Sequence, residues 1–291
     1  MAPLGAREYR RQLIEDGYCR IPGVASAELI GAVRRVADRL MERAEAGTDR
    51  GHRVQHTSVE LWKLPEVAPL IGLPAAREVL AALGYPRPRY YTGFCISKWP
   101  ETGPALYWHQ DGIFWDQPIS YTDVPHQFFL MYYLVDTDRR NGCLRVIPGS
   151  HRRRHRLHAL PPRDREVLQQ AEAQPGHPAL APDPDEVDVP VQAGDLVIGD
   201  ARLLHSAHPN HSQHRRTVIV LWFCPTYDLL PEGMQAAYAR NRTGEAPWDT
   251  RASRPAAWSH AQWALVEPLL PDYTGDAEPA PQTRVPDWRL A

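Results

Sequence analysis

Cysteine is scarce in this 291-residue sequence: Cys19, Cys95, Cys143 and Cys224 are scattered and form no CxxC pair. A chain of this size needs no disulfide framework to fold, so reduced thiols in a cytoplasm are expected. Long apolar runs are missing as well. None reaches the roughly eighteen residues of a membrane span, and Met1 to Glu8 lack the basic-then-apolar order of a signal peptide. Charge of one sign is absent, with 33 Lys and Arg against 35 Asp and Glu for a net charge of −2. Nothing global therefore draws the chain to nucleic acid or to anionic membranes, and a small-molecule partner becomes the default. Oligomeric state is not legible. There is no internal repeat and no βαβ alternation, which argues against a parallel nucleotide-binding fold.

What is present fits one large catalytic domain over 1–291, since 43% hydrophobic residues can fill a sizeable core. Residues 1–88 read as mainly helical. Helices are expected over 6–16 and over 26–45, where Leu29, Ile30, Val33, Val36 and Leu40 recur at helical spacing, and over 75–83, ending at Gly84. From 89 to 225 the pattern changes to short runs of aromatic and β-branched residues separated by turn residues. The expected strands are 89–99, 128–136, 143–147, 187–191, 195–199 and 216–224. Asn141-Gly142 is a strong hairpin signal between two of them, and Gly194-Asp195 supplies another turn. The fold class is mainly β with flanking α-helices, closed as an antiparallel sandwich or jelly roll. Residues 161–186 read as a long surface insertion with one short helical patch. The extension 226–291 carries Trp248, Trp258, Trp263 and Trp288, too many large rings for a disordered tail, and is expected to pack on the barrel or cover its mouth.

Chemistry concentrates in three places. In Trp108-His109-Gln110-Asp111-Gly112 an imidazole and a carboxylate stand two residues apart, a spacing that puts both on one face of an extended segment. Alone, this is as well read as a surface histidine beside a solvated aspartate. In Gly194 to His205 an apolar strand runs out to a histidine, which by itself could be a core histidine at a strand end. Together the three residues supply two imidazoles and one carboxylate, the set that occupies one face of an octahedral Fe(II) and leaves the other positions open. The third place is Arg216, at the head of the apolar strand Thr217 to Cys224. An arginine entering a barrel interior needs an anion, and a dicarboxylate's remote carboxylate would supply it through a bidentate fork.

An ordered set of motifs then resembles the phytanoyl-CoA dioxygenase family of iron(II) and 2-oxoglutarate-dependent oxygenases. It comprises Lys98-Trp-Pro100, Trp108 to Gly112, Asn141-Gly-Cys-Leu144, Ile147-Pro-Gly-Ser-His151, Gly194-Asp195, His205, Asn210 and Arg216, and spans roughly 89–225. The resemblance implies a double-stranded β-helix core. It implies Fe(II) held by His109, Asp111 and His205, a 2-oxoglutarate 5-carboxylate on Arg216, and O2 as oxidant, with succinate and CO2 as coproducts. One departure matters: where such proteins often carry a serine two residues after the distal histidine, this chain has Ala207. Ser206 or Thr217 are the alternatives for the second carboxylate contact, and Lys98 and Gln127 are further residues expected near the cosubstrate.

The expected reaction is hydroxylation of an unactivated C–H bond of a small molecule, in bacterial secondary-metabolite biosynthesis given the Pro-, Arg- and Ala-rich composition. Desaturation, epoxidation or ring formation by the same oxidant stand as alternatives. A zinc-binding hydrolase or isomerase, or a non-catalytic ligand-binding jelly roll, are the readings of another class. Trp108, Phe114, Trp115 and Tyr132 are expected to line a substrate pocket, and Trp222 to belong to the core. The basic run His151 to Arg156 reads as a solvated loop. His205, His208, His211 and His214 recur every third residue, but in an irregular loop they cannot all converge, so His205 alone is read as a ligand.

Overall fold

Alternation along the strands builds two antiparallel sheets that face each other. The computed structural model describes residues 5–45, 57–101, 103–161, 165–239 and 254–286. The strands are β1 Tyr18–Ile21, β2 Thr57–Glu60, β3 Arg89–Lys98, β4 Phe128–Tyr133, β5 Leu144–Val146, β6 Val187–Val189, β7 Leu196–Asp200, β8 His205–Ala207 and β9 Arg216–Cys224. The major sheet has the order β1-β7-β4-β9-β3-β2 and the minor sheet β6-β5-β8. This is the jelly-roll, double-stranded β-helix class that the sequence implies.

Side-chain parity decides what each face does. On β4 and β9, Phe128, Leu130, Tyr132, Ile219 and Leu221 face outward onto the helical layer. That layer includes α1 Ala6–Glu15, α2 Ala27–Glu45, α3 Ala68–Ile71 and α4 Pro74–Ala82. Phe129, Met131, Tyr133, Val218 and Val220 point the other way and meet Leu144 and Val146 of the minor sheet. The interior between the sheets is where the site lies.

Several expectations change in detail. β1 lies within the stretch read as helical and pairs with β7, while β2 pairs with β3 at the opposite edge. Both are four residues long, too short for alternation to outweigh the helical signal around them. Asn141-Gly142 does not close a hairpin, because β4 and β5 belong to different sheets. It completes a turn that crosses between the sheets, in which the Cys143 N–H donates to the Asp138 carbonyl and Gly142 has φ 90°. Gly84 does follow a helix end, with φ 95°, a conformation that favours glycine.

The stretch read as a surface insertion contains α5 Arg165–Ala173, yet it buries Ala171 and Ala179 against Tyr107. Its Leu180 and Ala181 carbonyls accept hydrogen bonds from the buried Arg145 guanidinium. The C-terminal part supplies α6 Glu232–Ala239 and α7 His260–Val266. Trp258 and Trp263 pack into the helical layer, and the Trp258 indole donates to the Trp62 carbonyl. Trp248 and Trp288 lie outside the described residues. Beyond α7, Thr283 runs beside Phe114: its N–H donates to the Ile113 carbonyl and its own carbonyl accepts from the Trp115 N–H. All four cysteines are free and buried, and no helix among the described residues is long and apolar enough to cross a membrane.

The buried His126 gives the fold an acid-sensitive point. It sits between the Ser120 and Tyr238 hydroxyls with its ring near Phe114. Burial, aided by Arg202 and opposed by Asp200, pulls its pKa down from 6.5 to about 3. The folded value lies below the unfolded one, so the unfolded chain binds the proton first. The neutral-histidine contribution is complete above pH 6.5 and is lost progressively as pH falls toward 3. At pH 5 this amounts to about 2 kcal/mol. Urea midpoints at pH 7 and pH 5 should show that loss, and the difference should shrink in His126→Asn; an unchanged difference in the variant would overturn the assignment.

Candidate metal centre and cosubstrate cavity

His109 and His205 meet as an antiparallel bridge, the His109 N–H donating to the His205 carbonyl at 3.1 Å and the reverse bond measuring 2.9 Å. Each ring is oriented by the carbonyl two residues before it: His109 Nδ1 lies 2.8 Å from the Tyr107 oxygen and His205 Nδ1 lies 3.0 Å from the Leu203 oxygen. A carbonyl can only accept, so both Nδ1 atoms carry the proton and the ligating lone pair falls on Nε2. The two Nε2 atoms converge on Asp111, His109 at 3.6 Å from Oδ1 and His205 at 3.6 Å from Oδ2. One ligand atom from each of the three lies within 4.8 Å of the others. The carboxylate is held from outside by the Trp222 indole N–H, which donates to Oδ2 at 2.9 Å. Its backbone is fixed too, since the Asp111 and Gly112 N–H groups both donate to the Ala201 carbonyl at 2.8 Å. That turn is anchored by Arg202, which forks onto Asp200 and also donates to the Ser120 and Thr122 carbonyls.

A cavity of about 90 Å³ runs from this centre between the sheets to Lys98 and Arg216. Both cations are buried, 1% and 3% exposed. Arg216 lies over the Tyr133 ring at 5.4 Å, and its Nε has no hydrogen-bond partner. Lys98 donates to the His208 carbonyl at 2.8 Å. Burial lowers the pKa of both, and for Lys98 the nearby Arg216 and Arg145 add to the effect. Asp111 is the one carboxylate among the cavity's lining residues. With that carboxylate taken up by the metal centre, two buried cations facing the cavity are costly unless a further anionic group enters. The donor set at one end and the orphaned guanidinium at the other therefore fit a metal ion and a dicarboxylate.

The two alternatives for the second carboxylate contact are placed differently. Thr217 has the opposite parity to Arg216 and bonds Ser97 on the helix side of the sheet at 3.2 Å. Ser206 is among the residues lining the cavity, but its hydroxyl is engaged elsewhere: Arg145 Nε donates to it at 3.1 Å, and it donates to the Leu106 carbonyl. Lys98 does line the cavity. Gln127 does not; it donates to the Asp111 carbonyl at 3.3 Å and lines a separate space of about 240 Å³.

Of the residues expected at a substrate pocket, Trp108 lines a cavity of about 320 Å³ that opens on His109 and Asp111. Phe114 packs with Tyr238 and His126, Trp115 lies against Tyr121, and Tyr132 faces the helical layer; none lines the three cavities around the metal centre. Trp222, expected in the core, packs against two of the core clusters and also lines both the cosubstrate cavity and the 240 Å³ space. Its position six residues after Arg216 gives it interior parity, a signal present in the sequence. His158, Leu160 and Arg284 also line the large cavity, and nothing in their local patterns announces it. In the basic run His151 is buried and meets the Ile14 carbonyl, while Arg152 and Arg156 pair with Asp123 and Asp183. His211 and His214 are exposed, away from the centre.

The fold and the metal centre define a jelly-roll protein of the facial-triad type. The model of the phytanoyl-CoA dioxygenase (PhyH) family matches residues 13–218, and the chain belongs to that family. It is 31% identical over 144 residues to phytanoyl-CoA dioxygenase 1 of Oryza sativa subsp. japonica, a match covering 49% of this chain and 47% of the relative. A mouse phytanoyl-CoA dioxygenase domain-containing protein 1 is 29% identical over 151 residues, again across 49% and 47%. The chain thus matches about half the length of these curated relatives. Among solved structures it is similar to SnoK, a non-heme alpha ketoglutarate dependent carbocyclase from nogalamycin biosynthesis, with TM-score 0.56, 25% identity and coverage of 77% and 87%. EvdO2 from Micromonospora carbonacea var. aurantiaca, solved with 2-oxoglutarate, shares the fold with TM-score 0.54 at 24% identity, covering 75% and 90%.

Proposed function

We propose that this chain is an iron(II) and 2-oxoglutarate-dependent oxygenase that hydroxylates an unactivated C–H bond of a small molecule in secondary-metabolite biosynthesis. His109, Asp111 and His205 would hold the iron through Nε2, a carboxylate oxygen and Nε2. Arg216, with Lys98 beside it, would receive the remote carboxylate of 2-oxoglutarate. The observation that carries this reading is the orphaned, buried Arg216 in the same cavity as the triad. When bound, the iron couples decarboxylation of 2-oxoglutarate by O2 to oxidation of a nearby C–H bond.

This chain's residues do the rest. The carbonyls of Tyr107 and Leu203 keep both imidazoles in the ligating tautomer. Trp222 restrains the carboxylate, and the apolar walls of Met131, Leu144, Val218 and Val220 keep the cosubstrate cavity dry. The 320 Å³ cavity, reached by Trp108, His158, Leu160 and Arg284, is the place for substrate because it opens on His109 and Asp111 from outside the cosubstrate cavity. A carbocyclase stands among the similar structures, so ring formation is the second reading, with the outcome decided by how the substrate is placed in that cavity.

Mixing the metal-free protein anaerobically with Fe(II) and 2-oxoglutarate should give a visible metal-to-ligand charge-transfer band that is lost in His109→Ala. No band in the wild-type protein would sink the assignment. Succinate release across a panel of candidate metabolites would then identify the substrate.

A further inference from the structure

The minor sheet has a second face, directed away from the cosubstrate cavity. Its register pairs Leu144 with Ala207, which sets Cys143 opposite His208 at the end of the β5–β8 ladder; Asp188 pairs with Arg145 on the other side of β5. Because alternate residues share a face, Cys143, Asp188 and His208 all stand on the side away from His205. The register holds them together: the His208 N–H donates to the Cys143 carbonyl at 3.0 Å, and His208 Nε2 lies 2.6 Å from Asp188 Oδ1. A sulfur, an imidazole nitrogen and a carboxylate oxygen thus come within 4.8 Å of one another. Cys143 and His208 are buried, whereas the Asp188 side chain is 32% exposed, leaving a way in for an ion and for water.

We propose that Cys143, Asp188 and His208 form a second metal site, taking a thiophilic divalent ion such as Zn(II) or Co(II), on the back of the cosubstrate cavity. The donor set separates it from the first centre. Two imidazoles and a carboxylate suit Fe(II), whereas a thiolate with one imidazole and one carboxylate is a tetrahedral set with water as fourth ligand. Charge also balances, since a divalent ion with one thiolate and one carboxylate is neutral. Burial, together with the neighbouring Asp188, pushes the Cys143 thiol up to about 12, so without an ion it stays protonated. Binding breaks the S–H bond, releases that proton to solvent and forms the metal–sulfur bond, with no change of oxidation state. It also replaces the hydrogen bond between His208 and Asp188: the proton that Nε2 shares with the carboxylate moves through solvent to Nδ1, and the metal takes the freed Nε2 lone pair. Arg139, 3.9 Å from Asp188, and Arg145, its partner across the ladder, are the competing cations nearby. The site meets the cosubstrate cavity through the bond from Lys98 to the His208 carbonyl and through the electrostatic interaction of Cys143 with Arg216.

The test uses the full chain carrying His109→Ala, which disables the first centre, stripped with a chelator and titrated anaerobically with Co(II). One equivalent should bind with a near-ultraviolet thiolate-to-cobalt charge-transfer band and the strong visible ligand-field bands of four-coordinate cobalt. Adding Cys143→Ser should remove the charge-transfer band. If circular dichroism shows that variant unfolded, adding His208→Gln instead should weaken Co(II) binding at least about tenfold, since loss of mere outer-shell support costs that much. No thiolate band in the His109→Ala chain, or a band indifferent to Cys143, overturns the site; so does full-strength binding after His208→Gln. The Fe(II) and 2-oxoglutarate chromophore of the wild-type protein reads the first centre alone, so either assignment can fail without the other.

Discussion

Arg216→Met is expected to bind 2-oxoglutarate at least about thirtyfold more weakly and yet, without the cosubstrate, to unfold at a higher temperature than the wild-type protein. The two effects have opposite signs because the guanidinium serves the complex and burdens the empty fold. It is 3% exposed, stacked over Tyr133, with an Nε that bonds to nothing. Removing one partner of a buried hydrogen-bonded charge pair costs roughly 2–5 kcal/mol, and about 1.4 kcal/mol is a factor of ten in affinity. Methionine fills similar volume among Met131, Val218 and Val220 without a charge to desolvate. Replacing buried ions by well-packed apolar groups often stabilises by about 1–4 kcal/mol, and each kcal/mol raises the midpoint of a domain this large by roughly 2–4 °C. Thermal unfolding with and without 2-oxoglutarate reads both effects. The wild-type midpoint should rise on adding cosubstrate while the variant's stays put. A variant that responds as strongly as wild type would remove Arg216 from the site.

The parts of this site that lie on regular strands were legible before any coordinates, because period two is a strong constraint. Arg216 opens β9, and counting forward in twos predicts that Val218, Val220 and Trp222 share its face. Trp222 therefore both packs against the core and lines the cavity. The same count rejects Thr217, and it separates Tyr132 from Tyr133. Ser206 is harder to read: β8 is three residues long, too short to show alternation, so the direction of its hydroxyl appears only through its bonds with Arg145 and Leu106. The segment from Tyr107 to Trp115 is irregular apart from single bridging residues, and period says nothing about where Phe114 or Trp115 point. Hardest of all is the large cavity, whose walls come from three places far apart in sequence: Trp108, the turn at His158 and the late residue Arg284. Long-range closure of that kind leaves no local trace, whereas the triad was visible because chemistry restricts its residue types.

Removing Asp111 should do more damage to turnover than any other single change, and the indole behind it should prove separable from it. Asp111→Ala leaves two imidazoles and no charge to offset a divalent ion, forfeiting several kcal/mol of binding and orientation. At about 1.4 kcal/mol per tenfold, activity should fall by more than about a thousandfold, with the Fe(II) and 2-oxoglutarate chromophore lost. Trp222→Phe is the informative companion. It keeps an aromatic wall between the two cavities but deletes the N–H that reaches Oδ2 at 2.9 Å. Outer-shell partners of this kind are worth roughly 10–100-fold in metal affinity, so Fe(II) should bind that much more weakly while the chromophore still forms at saturating metal. Because the oxygen held by Trp222 is also the one facing His205 Nε2 at 3.6 Å, loss of the N–H frees the carboxylate to rotate. The charge-transfer maximum should therefore shift as well as weaken. An unshifted band and unchanged iron affinity in Trp222→Phe would mean that the hydrogen bond holds the ring rather than the ligand.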